Sequence, residues 1–385
     1  MGADRIRNHF VTSIPSPYQV DFFCALEKLV PRTFKVTFSS AREIDRQYYD
    51  VPDEFSFQGH ILSHKTRRLG KDWHRSSELA TTLSASAAQN FIVGGNYFMP
   101  DARTTRHLCL AQGKKFFFWG ENPFKKQESG PKRWLKEKYL HWFLGPATGV
   151  IGVGSSATDA YKRLSGSDRV ACIPYAPDLE SLITPSEALE NQAAQLRSGL
   201  GESDFVYVLY VGSLISRKDP ATLIQGFARV ASRLPSARLL IAGEGPLLPE
   251  LAALVVSKQL EERVTFLGFL KSDELKAAYL AADLFVLPTC GHEGWGVVIQ
   301  EAMAAGLPVI ASSRVGAAKD LIGPGRIGRL FEAESVDGLA AHLLELIQDE
   351  TLRKRIGRQS RDVAIATSAN CAARKFLEFM AVSNE

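Results

Sequence analysis

The chain has 385 residues, more than one ordinary core holds, so two domains are expected. Hydrophobic residues make up 45% and charged residues 23%, the balance of a folded globular protein rather than a disordered one. Lys and Arg total 46 against 42 Asp and Glu, and a net +4 is too weak to argue for a nucleic-acid partner. No window holds the roughly 18 consecutive apolar residues of a membrane-spanning helix, and the opening MGADRIRNHFVTSIP lacks the apolar core of a signal peptide. The five cysteines (24, 109, 172, 290, 371) show no CxxC spacing and read as reduced thiols, which favours a cytoplasmic location.

Short apolar runs alternate with helix-period segments, which argues for parallel sheets covered by helices. A strand is expected near 6–12. SPYQVDFFCALEKLV follows, with Ser16 as N-cap, Pro17 at the first helical position and Gln19 completing a capping box. TFKVTF (33–38), NFIVGG (90–95), KKFFFWG (114–120) and TGVIGVG (148–154) are the next strands. The segment 124–143, FKKQESGPKRWLKEKYLHWF, sets six Lys or Arg against two Glu, and helical periodicity puts Leu135, Tyr139, Trp142 and Phe143 on one face. Two readings stand for it: an anionic membrane surface, or a helix whose aromatic face packs into the N-terminal core.

Residues 177–204 are polar and helix-prone and read as an interdomain linker. FVYVLYVG (205–212) then precedes a helix capped by Asp219 and Pro220, and RLLIAGEGP (238–246) precedes a helix near 249–258. RVTFLGF (263–269), DLFVLP (283–288) and LPVIAS (307–312) complete a Rossmann-like series. The expected architecture is α/β, two Rossmann-like domains facing across a cleft. The boundaries are 1–180 for the N-terminal domain, 181–204 for the linker and 205–365 for the C-terminal domain. A terminal helix over 366–385 is placed to return to the first domain.

The stretch CGHEGWGVVIQEAMAAG (290–306) concentrates the chemistry. Cys290 and His292 could ligate zinc, but no second pair lies nearby and HEGWG lacks the second His of HExxH. No Asp-x-Asp pair occurs anywhere in the chain, so no metal is expected. Gly294 and Gly296 allow close backbone approach at the start of a helix near Val297, whose unpaired amides and dipole favour an anion. A routine glycine-rich turn is the alternative. Arg217 and Lys218, in GSLISRKDP (212–220), follow the first strand of the same domain and should open onto the same sheet edge. Adjacent cations there suit a diphosphate, the alternative being a solvated charged pair. Glu301 either accepts ribose hydroxyls, as acids do in dinucleotide sites, or faces solvent beside Gln300. Glu293, outside the helix, is free to reach another part of the same ligand.

These residues carry a family resemblance. VGSLISRKDP (211–220), LLIAGEGP (239–246), VTFLGFL (264–270), ADLFVLPTCGHEGWGVVIQEAMAAGLPVIAS (282–312) and VGAAKDLI (315–322) stand in one order. Together they resemble the nucleotide-binding domain of the large retaining glycosyltransferase family with an E-x7-E motif and the GT-B fold. The resemblance implies that Glu293 contacts hydroxyls of the transferred sugar and Glu301 the ribose. It implies that Arg217 and Lys218 stabilise the diphosphate, helped by backbone amides around Gly296, Val297 and Val298. Gly212, Ser213, Gly243, Glu244, Gly245, Gly294 and Trp295 would line the donor site, and the backbone near Phe269 would read the base. Asp320 stands where the family usually has Glu.

In the first half, SIPSPY (13–18) resembles the first loop of a family branch, which would turn Pro17 and Tyr18 toward the cleft. Gly95 and Asn96 in GGN, and Glu121 and Asn122 in WGEN, sit at strand ends and should face it too. Many relatives carry a His in the loop matching WGEN; here Glu121 acts as a base, orients the acceptor or caps a helix.

The implied activity is metal-independent transfer of a hexose-type sugar, with retention, from a nucleotide-diphosphate sugar to a glycan or lipid-linked acceptor. That would serve surface polysaccharide or glycolipid synthesis, with no cofactor beyond the co-substrate. The implied location is cytoplasmic or peripheral on the inner membrane face. The alternatives are a nucleotide-sugar epimerase of the same fold and a non-catalytic scaffold with a retained donor site. A dinucleotide oxidoreductase is disfavoured, since GVGSS (152–156) lacks the spacing of its fingerprint.

Overall fold

The computed structural model describes residues 6–42, 54–63, 76–124, 129–201, 204–323 and 327–382. The chain divides into two compact units. The first takes the residues up to Pro177 together with those from Ala369 onward; the second is Asp178–Ser368. Among the described residues, no helix is long and apolar enough to cross a membrane.

The first unit is built on seven parallel strands: β1 (Asn8–Thr12), β2 (Phe34–Phe38), β3 (Gly59–Ile61), β4 (Asn90–Gly94), β5 (Lys115–Gly120), β6 (Gly149–Gly152) and β7 (Val170–Cys172). Their spatial order is β3-β2-β1-β4-β5-β6-β7. Its helices are α1 (Pro17–Leu29), α2 (Leu79–Ser84), α3 (Pro100–Ala111), α4 (Gly130–Leu144) and α5 (Ser155–Leu164), with a further helix, Ala369–Ala381, from the chain's end. Strand β5 shows why both faces are covered. Phe116, Phe117 and Phe118 are consecutive and all buried, as a parallel strand between two helical layers requires. Phe116 and Phe118 meet Phe143 of α4 edge to face at 5.7 and 5.6 Å, and Phe117 meets Phe379 of the last helix at 6.1 Å. Phe376 of that helix stacks on Trp119 and packs on Phe10, so the end of the chain closes the first core. Phe117→Ala would open a cavity costing about 3–5 kcal/mol.

Two expectations fail in this unit. Helix α1 starts at Pro17 behind Ser16, but there is no capping box. The Gln19 amide instead bonds the Thr12 hydroxyl (3.0 Å), because the end of β1 brings that hydroxyl within its reach. On α4, the face assigned to Leu135, Tyr139, Trp142 and Phe143 is split. Phe143 is buried with Leu140 and Leu144, Tyr139 is half-buried, and Leu135 and Trp142 are exposed. Neighbouring helical residues point about 100° apart, and the edge of the core falls between Trp142 and Phe143. Lys125, Lys126 and Glu128 of the same segment lie outside the described residues.

The second unit opens with α6 (Glu180–Ile183) and α7 (Glu187–Gly199). Six parallel strands follow, β8 (Val206–Val211), β9 (Ala237–Ala242), β10 (Val264–Gly268), β11 (Leu284–Leu287), β12 (Val309–Ser312) and β13 (Gly328–Phe331), in the order β10-β9-β8-β11-β12-β13. The covering helices are α8 (Pro220–Ala231), α9 (Leu248–Ser257), α10 (Ser272–Ala281), α11 (Val298–Ala304), α12 (Val336–Gln348) and α13 (Glu350–Ala366). Residues 181–204 are therefore not a linker. Leu189, Ala193 and Leu196 of α7 form an i, i+4, i+7 stripe that packs on Ala277, Leu280 and Ala281 of α10. Arg197 then pairs with Asp283 (3.0 Å) and donates to Phe205 O (3.0 Å). A polar average hides so narrow an apolar stripe.

Both sheets reverse direction of winding at one point, between β1 and β4 in the first and between β8 and β11 in the second. The crevice outside the carboxyl ends of strands at such a switch point is where open α/β sheets bind ligands.

Candidate functional site

In the second unit the loops leaving β8 and β11 are clamped together by main chain. The amides of Cys290 and Gly291 both donate to Arg217 O at 3.1 Å, and the Cys290 thiol donates to Ser216 O at 3.3 Å. A Cβ on Gly291 would stand 2.2 Å from Arg217 Cγ, so any other residue there would displace the Arg217 side chain. Arg217 and Lys218 belong to a 3₁₀ turn, Ser216–Lys218, which Asp219 ends in the left-handed region (φ 51°) while capping α8 through Thr222 N.

The clamp brings two cations onto one carboxylate oxygen. Glu293 Oε2 accepts from Arg217 Nη1 (2.8 Å) and from Lys218 Nζ, and Arg217 Nη1 also donates to His292 O (3.2 Å). Burial would by itself raise the Glu293 carboxyl. Lys218 and then Arg217 outweigh it and hold the group below the usual carboxylate range. Glu293 is thus engaged by both cations rather than free, because the clamped loops leave the three side chains in contact.

The neighbouring loops are pressed against this cluster. Gly212 N donates to Ala242 O (3.0 Å), Leu214 N to Glu244 O (2.8 Å) and Gly243 N to Gly268 O (2.7 Å). Gly243 (φ 134°) has a packing reason for its identity, since a Cβ there would lie 2.1 Å from Gly212 O. Gly212, Ser213, Glu244, Gly245 and the exposed Phe269 share the edge that follows β8, β9 and β10.

Beyond Glu293 the GWG turn is fixed to the loop after β12, with Gly316 N donating to Glu293 O and Ala317 N to Trp295 O. Ile299 N donates to Gly296 O; the amides just before it, at Val297 and Val298, are those a helix start leaves for an outside acceptor. Gly294, Gly296, Val297 and Val298 are half-buried. The Trp295 side chain does not join the donor edge. It is buried, its indole N–H donates to Gln300 Oε1 (2.8 Å), and Gln300 in turn donates to Thr367 O (3.0 Å). An indole whose N–H finds a partner five residues on is stable in the core, so only the main chain of Trp295 is left at the donor edge. Glu301 accepts from the hydroxyl of fully buried Tyr279 at 2.9 Å. Burial first, and then the Glu301 charge, pushes the Tyr279 phenol well above its ordinary value, so it remains a donor. Sequence reasoning missed Tyr279; its only signal was a Tyr on the helix before β11. Among the described residues, no group of three His, Cys, Asp or Glu is placed to hold a metal.

In the first unit the switch point carries a small pocket, open to solvent and lined by Thr12, Tyr18, Gln19, Gly95, Trp119 and Tyr175 among others. The rings of Tyr18 and Tyr175 lie 4.5 Å apart, and the Trp119 indole donates to Ile173 O (3.1 Å). Gln19, Trp119 and Tyr175 were missed by sequence reasoning. The available signal was Pro174–Tyr175 after β7, a second Pro–Tyr step at the same sheet edge as Pro17–Tyr18. Pro17 is exposed at the start of α1. The Asn96 side chain accepts from Phe98 N (2.9 Å) within its own turn. The Asn122 side chain accepts from Phe124 N (2.9 Å) and donates to Ser156 Oγ (2.6 Å), which shapes the loop. The Glu121 carbonyl accepts from buried Tyr161.

The family described as Glycosyl transferases group 1 matches residues 192–363. A GDP-mannose-dependent alpha-(1-6)-phosphatidylinositol monomannoside mannosyltransferase of Mycobacterium tuberculosis is 33% identical over 228 residues, 57% of this chain and 58% of that protein. An N-acetylgalactosamine-N,N'-diacetylbacillosaminyl-diphospho-undecaprenol 4-alpha-N-acetylgalactosaminyltransferase of Campylobacter jejuni is 30% identical over 249 residues, 64% of each chain. The match to an N-acetyl-alpha-D-glucosaminyl L-malate synthase of Bacillus anthracis, 32% identical, covers 43% of this chain and 42% of that one. The chain thus spans less than two thirds of the length of these curated relatives. Among solved structures, Anabaena Alr3699/HepE in complex with UDP superposes with a TM-score of 0.78 at 17% identity, over 98% of this chain and 100% of that one. WaaG, a glycosyltransferase involved in lipopolysaccharide biosynthesis, gives 0.69 at 18% identity, over 96% and 98%. Residues 192–363 thus match the glycosyl transferases group 1, and the two parallel-sheet units share the GT-B fold of these solved structures.

Proposed function

We propose that the chain is a retaining glycosyltransferase that moves a hexose-type sugar from a nucleotide-diphosphate donor to a glycan or lipid-linked acceptor without a metal ion. The observation that carries this reading is the single carboxylate oxygen of Glu293 shared by Arg217 and Lys218 at the switch point of the family domain. The substrate classes are supported by the names of relatives, which include a phosphatidylinositol mannoside acceptor, a diphospho-undecaprenol acceptor and GDP-mannose as donor. A lipid-linked acceptor would bring the reaction to the cytoplasmic face of a membrane.

In this reading the donor diphosphate engages Arg217 and Lys218, and Glu293 turns to accept hydrogen bonds from hydroxyls of the sugar. Its depressed pKa keeps it ionised at neutral pH, suited to accept and unsuited to act as an acid. Glu301, held by Tyr279, takes the ribose hydroxyls. The bond from the anomeric carbon to the phosphate oxygen breaks, its electron pair staying on the phosphate. The acceptor hydroxyl oxygen bonds the same face of that carbon, and its proton passes to the leaving phosphate oxygen. The charge growing on the diphosphate meets cations already assembled, which lowers the barrier more than binding the ground state does. Arg217 and Lys218 would supply the positive charge that a divalent ion supplies elsewhere.

The test is incubation with a panel of nucleotide sugars, in chelator, with and without glycolipid acceptors, reading the anomeric configuration of the product by NMR. We expect transfer with retention. Inversion, a requirement for added metal, or a changed sugar nucleotide formed without acceptor would each overturn a stated part of the proposal.

A further inference from the structure

Large apolar side chains scattered singly on a surface need no explanation, but those of the first unit are not scattered. Among its described residues, the exposed large apolar side chains other than Val382 lie on α4 and the two segments it touches: Trp134 (60% exposed), Leu135 (65%), Trp142 (51%), Phe98 (42%) and Leu110 (42%). Trp134, Lys138 and Trp142 follow one another at i, i+4 and i+8, with Leu135 alongside, while Leu140, Phe143 and Leu144 bury the other side of the helix. Phe98 stacks on Tyr139 at 4.7 Å, and the Tyr139 hydroxyl donates to Tyr97 O (2.9 Å). Arg106 of α3 lies 4.2 Å over the Trp142 ring and donates to Trp142 O.

On α3 and α4 the exposed charge is mostly positive. Arg103, Lys132 and Lys138 are exposed and Arg106 is half-buried. The two carboxylates of α3 and α4 are Asp101, which is buried, and Glu137, which pairs with Arg133 (3.0 Å). Arg133 and Lys136 lie over the Phe124 ring, away from the stripe, so they are not the cations that matter here.

From this geometry we infer that α4, with Phe98 and α3, docks the first unit onto an anionic lipid bilayer, the indoles of Trp134 and Trp142 and the side chain of Leu135 entering the headgroup boundary. Indole rings suit that boundary, and the long stems of Lys138 and Arg106 can lie along apolar surface while their charges meet lipid phosphates. A second copy of the chain is the poorer occupant, because a two-fold contact would set these cations against themselves. The surface adjoins the strand-end pocket, since the loop bearing Phe98 also bears Gly95 and Asn96. The inference goes beyond the transferase reading and is measured without it.

The whole chain, without substrate, is sedimented with vesicles of phosphatidylcholine alone and of phosphatidylcholine mixed with phosphatidylglycerol. We expect binding to the mixed vesicles only, weakened by salt. Partitioning should fall by about tenfold or more in Lys138→Glu and in the double variant Trp134→Ser, Leu135→Ser. Donor hydrolysis in solution should be unchanged in both. Equal binding to both vesicle types, or binding unaffected by these variants, would overturn the inference. So would self-association of the wild type that the double variant abolishes, which would assign the surface to a second copy.

Discussion

At the switch point of the second unit the strand ends present Arg217, Lys218 and Glu293; at the matching point of the first they present Thr12, Tyr18, Trp119 and Tyr175. The same order of strands thus carries charge in one place and aromatic walls in the other. Topology fixes where a ligand can sit, and the loop residues decide which ligand it is. The charged edge suits a diphosphate, while the aromatic pocket suits the apolar or ring faces of an acceptor.

The largest separation between the two should come from Lys218→Ala and Glu293→Ala. Each should lower turnover by about 100- to 1,000-fold, the scale of losing one preorganised group at developing charge. Wild-type rates in either variant would erase the distinction between the units.

Next in size is the response to acid, which should fall on the first unit. His9 is fully buried between Ser86 Oγ (3.1 Å) and Thr37 Oγ1 (2.8 Å). Burial, then Lys35 and Lys114, lowers its pKa from 6.5 to about 3. Between those values the unfolded chain binds a proton that the folded one refuses, so stability is lost as pH falls through that window. The loss by pH 4 should be on the order of 3 kcal/mol, read as an earlier urea midpoint at pH 4 than at pH 7. His9→Gln should flatten that dependence; an unchanged slope would remove His9 as its source.

Tyr175→Ala should raise the KM for acceptor by about tenfold, the scale of one lost aromatic contact, and leave donor hydrolysis alone. A rise in donor KM instead would place the donor in the first unit. The smallest effect is expected for Tyr279→Phe, which removes the hydroxyl that positions Glu301. Donor KM should rise several-fold at constant kcat, in keeping with about 1 kcal/mol for one hydrogen bond. Discrimination between ribose and 2'-deoxyribose donors should shrink with it. A fall in thermal stability alone would make Tyr279 merely structural.

The second unit was more legible in the sequence than the first for the same physical reason. Buried parallel strands such as 206–211 and 284–287 are continuous apolar runs. Strands β3, β7 and β13 escaped notice because they are three- or four-residue edge strands. Arg217, Lys218 and Glu293 could be read as one site, yet their mutual pairing depends on Gly291 and the Arg217 carbonyl, which no spacing reveals. That the Trp295 indole turns inward is not legible either, because Gln300, the side chain that satisfies it, reads as an ordinary surface residue beside Glu301. The exposed stripe of α4 was visible as aromatic and basic, but which residues face outward is settled only by where Phe143 and Leu144 enter the core.

The most direct measurement of the donor site is calorimetric titration of UDP and GDP, in chelator, into the wild type and Lys218→Ala. We expect one nucleoside diphosphate to bind the wild type and to bind the variant at least about tenfold more weakly, as loss of a charge-assisted contact to phosphate requires. Equal affinity for both proteins, or binding only after a divalent metal is added, would contradict the assignment of Arg217, Lys218 and Glu293 as the donor's diphosphate site.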